Sequence, residues 1–245
     1  MVDGWVSCFG HRYSLLLPRQ VDTSKVMTLP PVVNRSGALW PKKHEGVTIA
    51  MSLMDSAPKL IASGLWRWLQ GTGLERFEFL RTSDEWLFRG TIIALAGDAA
   101  VEAGYEIRCD HLFRTKTANI SVRDSAGERK LQTAAQDGRW FENGVENQTV
   151  RGALDIDLGW SPSTNTLPIR RLGLEIGQAS GEIIAAWVRF PELTLQPLPQ
   201  QYLRLGDRKY RYSSRGGAFV AELLVDEHDL VLDYEGFWQR APKMH

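Results

Sequence analysis

The sequence of 245 residues has only two cysteines, Cys8 and Cys109, too few and too far apart for a disulfide framework or a four-ligand zinc site. An excess of either charge is also missing. Lys and Arg together number 29, as do Asp and Glu, so no net field draws the chain towards nucleic acid or an anionic membrane. No apolar run approaches the ~18 residues of a membrane-spanning helix, so no integral membrane segment is expected. The amino terminus lacks the basic, apolar and small-residue order of a signal peptide. Gly-rich phosphate loops, nucleophile elbows and HExxH patterns are absent too. These gaps describe a cytoplasmic protein kept in a reducing compartment, with no cofactor, no metal and no nucleic-acid partner.

What is present is a good supply of core material, since 43% of the residues are hydrophobic, though unevenly distributed. Residues 1–62 hold neither a period of two nor one of 3.6, and Pro18, Pro30, Pro31 and Pro41 interrupt them too often for regular structure. The expectation is an irregular, disordered extension. Met51 stands just before the patterned region, as it would if the gene start had been placed too far upstream. Residues 63–245 are expected to form a single all-β domain. In LERFEFL, residues 74–80, Phe77 and Phe79 alternate with Arg76 and Glu78, and in ANISV the apolar Ala118, Ile120 and Val122 alternate with Asn119 and Ser121. Similar runs cover residues 86–95, 101–109, 154–158, 171–176, 182–190, 209–213 and 219–225. Tight-turn pairs separate many of them, among them Gly97-Asp98, Asp137-Gly138, Asn143-Gly144 and Gly216-Gly217. Short strands with such turns indicate a sandwich, roll or barrel. A helix over 181–188 is the competing reading there, with Pro191 stopping it early. The segment from Phe88 to Tyr105 echoes that from Phe219 to Tyr234, as two hairpins of similar design would.

Chemistry concentrates in DIDLGWSPSTNTLPIRRL, residues 155–172. On a strand Asp155 and Asp157 share one face and Ile156 and Leu158 the other. Pro162 and Pro168 then break the ladder, leaving residues 161–166 as a constrained loop bracketed by acid and base. Two carboxylates on one face suit acid–base work on a sugar-like substrate. Against this, they lie only ~7 Å apart on one element, and Arg170 or Arg171 beside them would lower their pKa values. Adjacent arginines on a strand point to opposite faces, so one is expected to pair internally and one to meet a ligand. Trp140, next to Asn143-Gly144, and Trp160, within the proline loop, are the rings placed to stack on an apolar sugar face. Cys109 and His111 share a strand face, but two ligands do not make a zinc site.

The same motif, followed by WVRFPELTLQPLPQQYLRL and ELLVDEHDLVLDYEGFWQRA, resembles the bacterial putative glycolipid-binding protein family over about residues 65–241. The family pattern, D-x-D, S/T-P-x-T-N-T and L-P-I-R-R, falls on Asp155, Asp157, Pro162, Thr164, Asn165, Thr166, Pro168, Arg170 and Arg171. An aromatic, usually Phe, follows the first proline in that pattern. Here Ser163 replaces it, which removes an apolar anchor. The resemblance implies an all-β fold, a strongly curved or barrel-like antiparallel sheet of two related halves with few short helices. It favours non-catalytic binding of a glycolipid or another amphipathic molecule. The apolar part would lie inside the sheet. The polar part would meet Asp155, Asp157, Thr164, Asn165, Thr166, Arg170, Arg171, Trp140 and Trp160. The alternatives are a sugar-active hydrolase or isomerase using Asp155 and Asp157, and a structural or partner-binding domain whose motif is an internal ion-pair lattice.

Overall fold

The computed structural model describes residues 57–242. They form strands β1 (Lys59–Trp68), β2 (Gly73–Arg81), β3 (Trp86–Ala96), β4 (Ala99–Cys109), β5 (Thr115–Asp124), β6 (Gly127–Gln136), β7 (Arg139–Glu142) and β8 (Val145–Glu146). After β9 (Asp155–Leu158) comes helix α1 (Thr166–Leu172). Strands β10 (Ile183–Arg189), β11 (Thr194–Gly206), β12 (Lys209–Ser214), β13 (Phe219–Val225), β14 (Val231–Tyr234) and β15 (Trp238–Arg240) complete the chain. All fifteen strands belong to one sheet, in the order β8-β7-β6-β5-β4-β3-β2-β1-β15-β14-β13-β12-β11-β10-β9. Every neighbouring pair is antiparallel except β9 with β10.

The period-two patterns produce this sheet in the expected way. In β2, Glu75, Phe77 and Phe79 are buried while Leu74 and Arg76 are exposed. In register, Phe77 faces Gly90 and Gly90 faces Tyr105, so these side chains stand in one inward row across β2, β3 and β4. Asp137-Gly138 and Asn143-Gly144 have positive φ at both positions, as two-residue hairpins of primed type require. The outer face of the same strands carries charges. Glu106 pairs with Arg89 and Arg108, and Glu85 pairs with Arg108 and Lys116.

The hydrogen-bonded ladder is open, with β8 and β9 at its two ends, so a closed barrel is not formed. The sheet nevertheless curls back on itself. Thr115 N–H donates to Leu154 O at 2.9 Å, Ile156 N–H to Thr115 Oγ1 at 3.0 Å, and Asn147 Nδ2 to Leu195 O at 3.0 Å. These bonds join segments far apart in the strand order. Large apolar side chains, with Trp66, Trp140, Phe77 and Tyr202 the bulkiest, fill the inside of the curve.

Three differences from the sequence reading emerge, and one choice it left open is decided. Strand β1 starts at Lys59, inside the segment expected to be irregular; residues 1–56, with the alternative start at Met51, lie outside the described residues. Residues 183–189 form a strand, because pairing on both sides buries them. Residues 171–176 form no strand: Arg171 and Leu172 end α1, and Gly173 caps it with φ 54°. Strand β11 runs through Pro197 and Pro199, which pair only with Ala186 and Ile184 of β10; the register with β12 begins at Gln200. The prolines thus occupy a locally one-sided stretch, where a missing N–H can face an unpaired edge. The two segments that echo each other are the hairpins β3–β4 and β13–β14.

Candidate functional site

Strand β9 pairs in the ladder only with β10, and it ends where Gly159 turns the chain. A Cβ at Gly159 would sit 2.3 Å from the Trp187 indole nitrogen, so only glycine permits this approach. Ser161 then caps a 3-10 turn over Pro162–Asn165. Its Oγ accepts from Ser163 N–H at 3.1 Å, and Pro162 takes the first position, where an N–H is not needed. Helix α1 follows at once. The expected constrained loop is therefore a capped helical turn, and both arginines sit on a helix instead of a strand.

This geometry brings the motif's polar groups together and spends them on one another. Arg171 grips Asp155 through two bonds, Nε to Oδ1 at 2.9 Å and Nη2 to Oδ2 at 2.5 Å, and Asp155 is only 1% exposed. Burial raises the Asp155 carboxyl above the ordinary aspartate value while Arg171 pulls it down. Arg170 donates to His228 O at 3.1 Å and Asp229 Oδ2 at 3.2 Å, and its guanidinium lies 4.7 Å from the Phe113 ring centre. Thr164 Oγ1 accepts from Leu158 N–H at 3.1 Å, Asn165 Nδ2 donates to Tyr202 Oη at 3.0 Å, and Thr166 Oγ1 donates to Asp229 O at 2.9 Å. Asp157 accepts from Gln200. Burial pushes its pKa up to about 6, with the charge on Asp155 adding to the rise. Its charge in turn raises the Tyr212 and Tyr234 hydroxyls, after burial itself.

Three expectations change as a result. Both arginines form ion pairs, Arg171 with the buried Asp155 and Arg170 with the part-exposed Asp229. Asp155, Thr164, Asn165 and Thr166 are buried and bonded, so they hold the segment in place and present no polar surface. Trp140 is fully buried with its indole N–H donating to Ala153 O at 2.9 Å, so it belongs to the core and offers no face for a sugar. Cys109 is a buried free thiol and His111 is exposed, which separates that pair as well. Among the described residues, no group of three His, Cys, Asp or Glu side chains could hold a metal ion.

Of the predicted set, Trp160 lines a partly open pocket with a cavity volume of about 30 Å³, together with Trp68, Ile92, Ala94, Val101, Ala103, Phe190 and Trp238. Trp68 stacks on Trp238 at 6.4 Å, and Trp160 tilts against Phe190 at 5.2 Å. Every lining side chain is apolar or aromatic. Such a lining suits an apolar group.

Behind this wall lies a cluster that the motif did not announce. Glu75 of β2 is fully buried; its Oε1 accepts from Tyr105 Oη at 2.6 Å and from Ser161 Oγ at 2.7 Å, and Ser161 bonds Ser163 at 2.7 Å. Burial pushes the Glu75 pKa up to about 8 against the pull of those two hydrogen bonds, so it is mainly protonated at neutral pH. The sequence did carry a signal for it: in LERFEFL the parity of Phe77 and Phe79 places Glu75 on the apolar face.

A model of the family described as "Putative glycolipid-binding" matches residues 64–240. The crystal structure of a DUF1089 family protein from Pseudomonas aeruginosa is similar, with 36% identity and a TM-score of 0.63, over 69% of this chain and 92% of that one. No curated protein matches. No helix among the described residues is long and apolar enough to cross a membrane.

Proposed function

The chain belongs to the putative glycolipid-binding family, and on that premise we propose that it binds the apolar part of a small amphipathic molecule, such as a glycolipid, without catalysing a reaction. The observation that carries this reading is Trp160: the motif's polar groups are consumed internally, and what they hold in place is an indole lining an apolar pocket. The motif is thus a scaffold for the pocket wall, and the sugar or other polar head stays at the mouth. Each buried methylene contributes roughly 0.8 kcal/mol, so the few that the pocket can take give a modest affinity. The cytoplasmic setting read from the cysteine count is part of the same proposal.

Catalysis by Asp155 and Asp157 is disfavoured by their placement. They leave one short strand two residues apart, and each is held by a partner, Arg171 or Gln200. Glycosidase carboxylates flank the scissile bond from separate positions.

Octyl glucoside, which joins a sugar to an eight-carbon chain, is a suitable probe below its micelle concentration. Saturable change in tryptophan fluorescence is expected on titration, with affinity falling about tenfold in Trp160→Ala. Equal responses from the wild type and the variant would overturn the pocket assignment.

A further inference from the structure

The floor of the apolar pocket comes from one hairpin. In the register of β3 with β4, Ile92 stands opposite Ala103 and Ala94 opposite Val101, and all four line the pocket. The two alanines therefore occupy one diagonal of a block of four side chains, and the two branched residues occupy the other. Space remains where the alanines stop at Cβ. The walls are two aromatic pairs, Trp68 stacked on Trp238 and Trp160 tilted against Phe190.

One wall lies close to this floor. A Cβ at Gly73, the partner of Ala94 in β2, would meet the Ala94 Cβ at 2.9 Å and Trp68 Cε3 at 3.3 Å, so the indole packs down beside the alanine. The size of the space then limits what can enter. A water-sized group needs about 10–15 Å³ of cavity, and a methyl or methylene group is of the same order, so the pocket takes roughly two such groups. A benzene-sized ring needs roughly 150 Å³. The end of a chain fits this space, and a ring does not.

We propose that Ala94 and Ala103 determine the specificity of this pocket, admitting the end of an open hydrocarbon chain and excluding ring systems. The ligand class is then an n-alkyl or n-acyl lipid, in preference to one whose apolar body is a fused-ring or aryl system. The chain end needs no polar partner, since every side chain around it is apolar or aromatic. The inference rests on the pocket reading of the preceding subsection and deepens it.

The test uses hexyl glucoside and cyclohexyl glucoside, which share a head and a carbon count and differ in the shape of the tail. Both are titrated into the full-length protein, with tryptophan fluorescence as the readout. The hexyl compound is expected to bind the wild type about tenfold more tightly, the scale on which forcing a group into a filled space weakens packing. Ile92→Ala, which enlarges the space, should bring the two within about threefold. Comparing the ratio between proteins removes the difference in the probes' own hydration. Ala94→Val adds bulk at a part-exposed position and should weaken hexyl glucoside about tenfold while leaving the melting temperature near that of the wild type. Equal binding of both probes by the wild type, weakened alike in Trp160→Ala, would overturn the size rule and leave the pocket reading intact. Hexyl glucoside bound equally well by Ala94→Val would overturn the role of that alanine. If neither probe binds the wild type, the pocket reading itself fails.

Discussion

At the residue scale, two of the motif's charges, on Asp155 and Arg171, pair inside the protein. Asp155 and Arg171 are nearly dry, with side-chain exposures of 2% and 14%, and their bidentate bond ties α1 to β9. Removing one partner of such a pair strands a buried charge. Arg171→Ala is therefore expected to cost about 3 to 5 kcal/mol in chemical denaturation. Arg76→Ala, which breaks an exposed pair with Glu78, should cost less than about 1 kcal/mol. Equal costs would remove the case for a lattice. This arrangement was partly legible. Acid and base were visibly close in sequence, which made pairing a strong alternative, but the pairing of both arginines depended on a helix. Ser161-Pro162 at the start and Gly173 at the end were the available helix signals, and the spacing of the prolines obscured them.

At the scale of elements, the strands with strict alternation were the most legible, and those whose neighbours decide their state were the least. Residues 219–225 match β13 end to end. Strand β11 was missed because prolines argue against a strand, and only the register with β10 and β12 shows that they occupy a one-sided stretch. Glu75 illustrates the same limit in reverse: parity gives its face, but its partners come from β4 and from the segment after β9. Its consequence for stability has a definite sign. The folded pKa, about 8, lies above the ordinary value of 4.5, so the folded state holds this proton more tightly than the unfolded state does. Its stabilising effect is full below pH 4.5 and is lost as the pH rises through about 8, on the order of 4 kcal/mol across the window. Glu75→Gln cannot ionise. Denaturation curves between pH 5 and 9 should therefore show a decline in the wild type that is shallower in the variant. Parallel curves would mean that Glu75 does not titrate in this range.

At the scale of the whole sheet, curvature is what makes a site. The pocket draws on β1 and β15 in the middle of the strand order, on β3 and β4, and on Trp160 and Phe190, which follow β9 and β10 at the far end. Composition and period gave the fold class, and the family resemblance gave the curvature. Neither could give this convergence, because Trp160 meets Trp68 and Trp238, which face each other across β1 and β15, only once the sheet has curled. The outer face offers a contrasting surface, where Ile93 and Leu95 are exposed at 65% and 42%. A ligand attracted by exposed apolar area alone would settle there. The most direct measurement is therefore a crystal structure of the protein soaked with an alkyl glucoside carrying a bromine at the end of its chain. The anomalous signal of the bromine is expected inside the pocket, among Trp68, Trp160, Trp238 and Ile92. A signal on the outer face beside Ile93 and Leu95, with the pocket empty, would contradict the account.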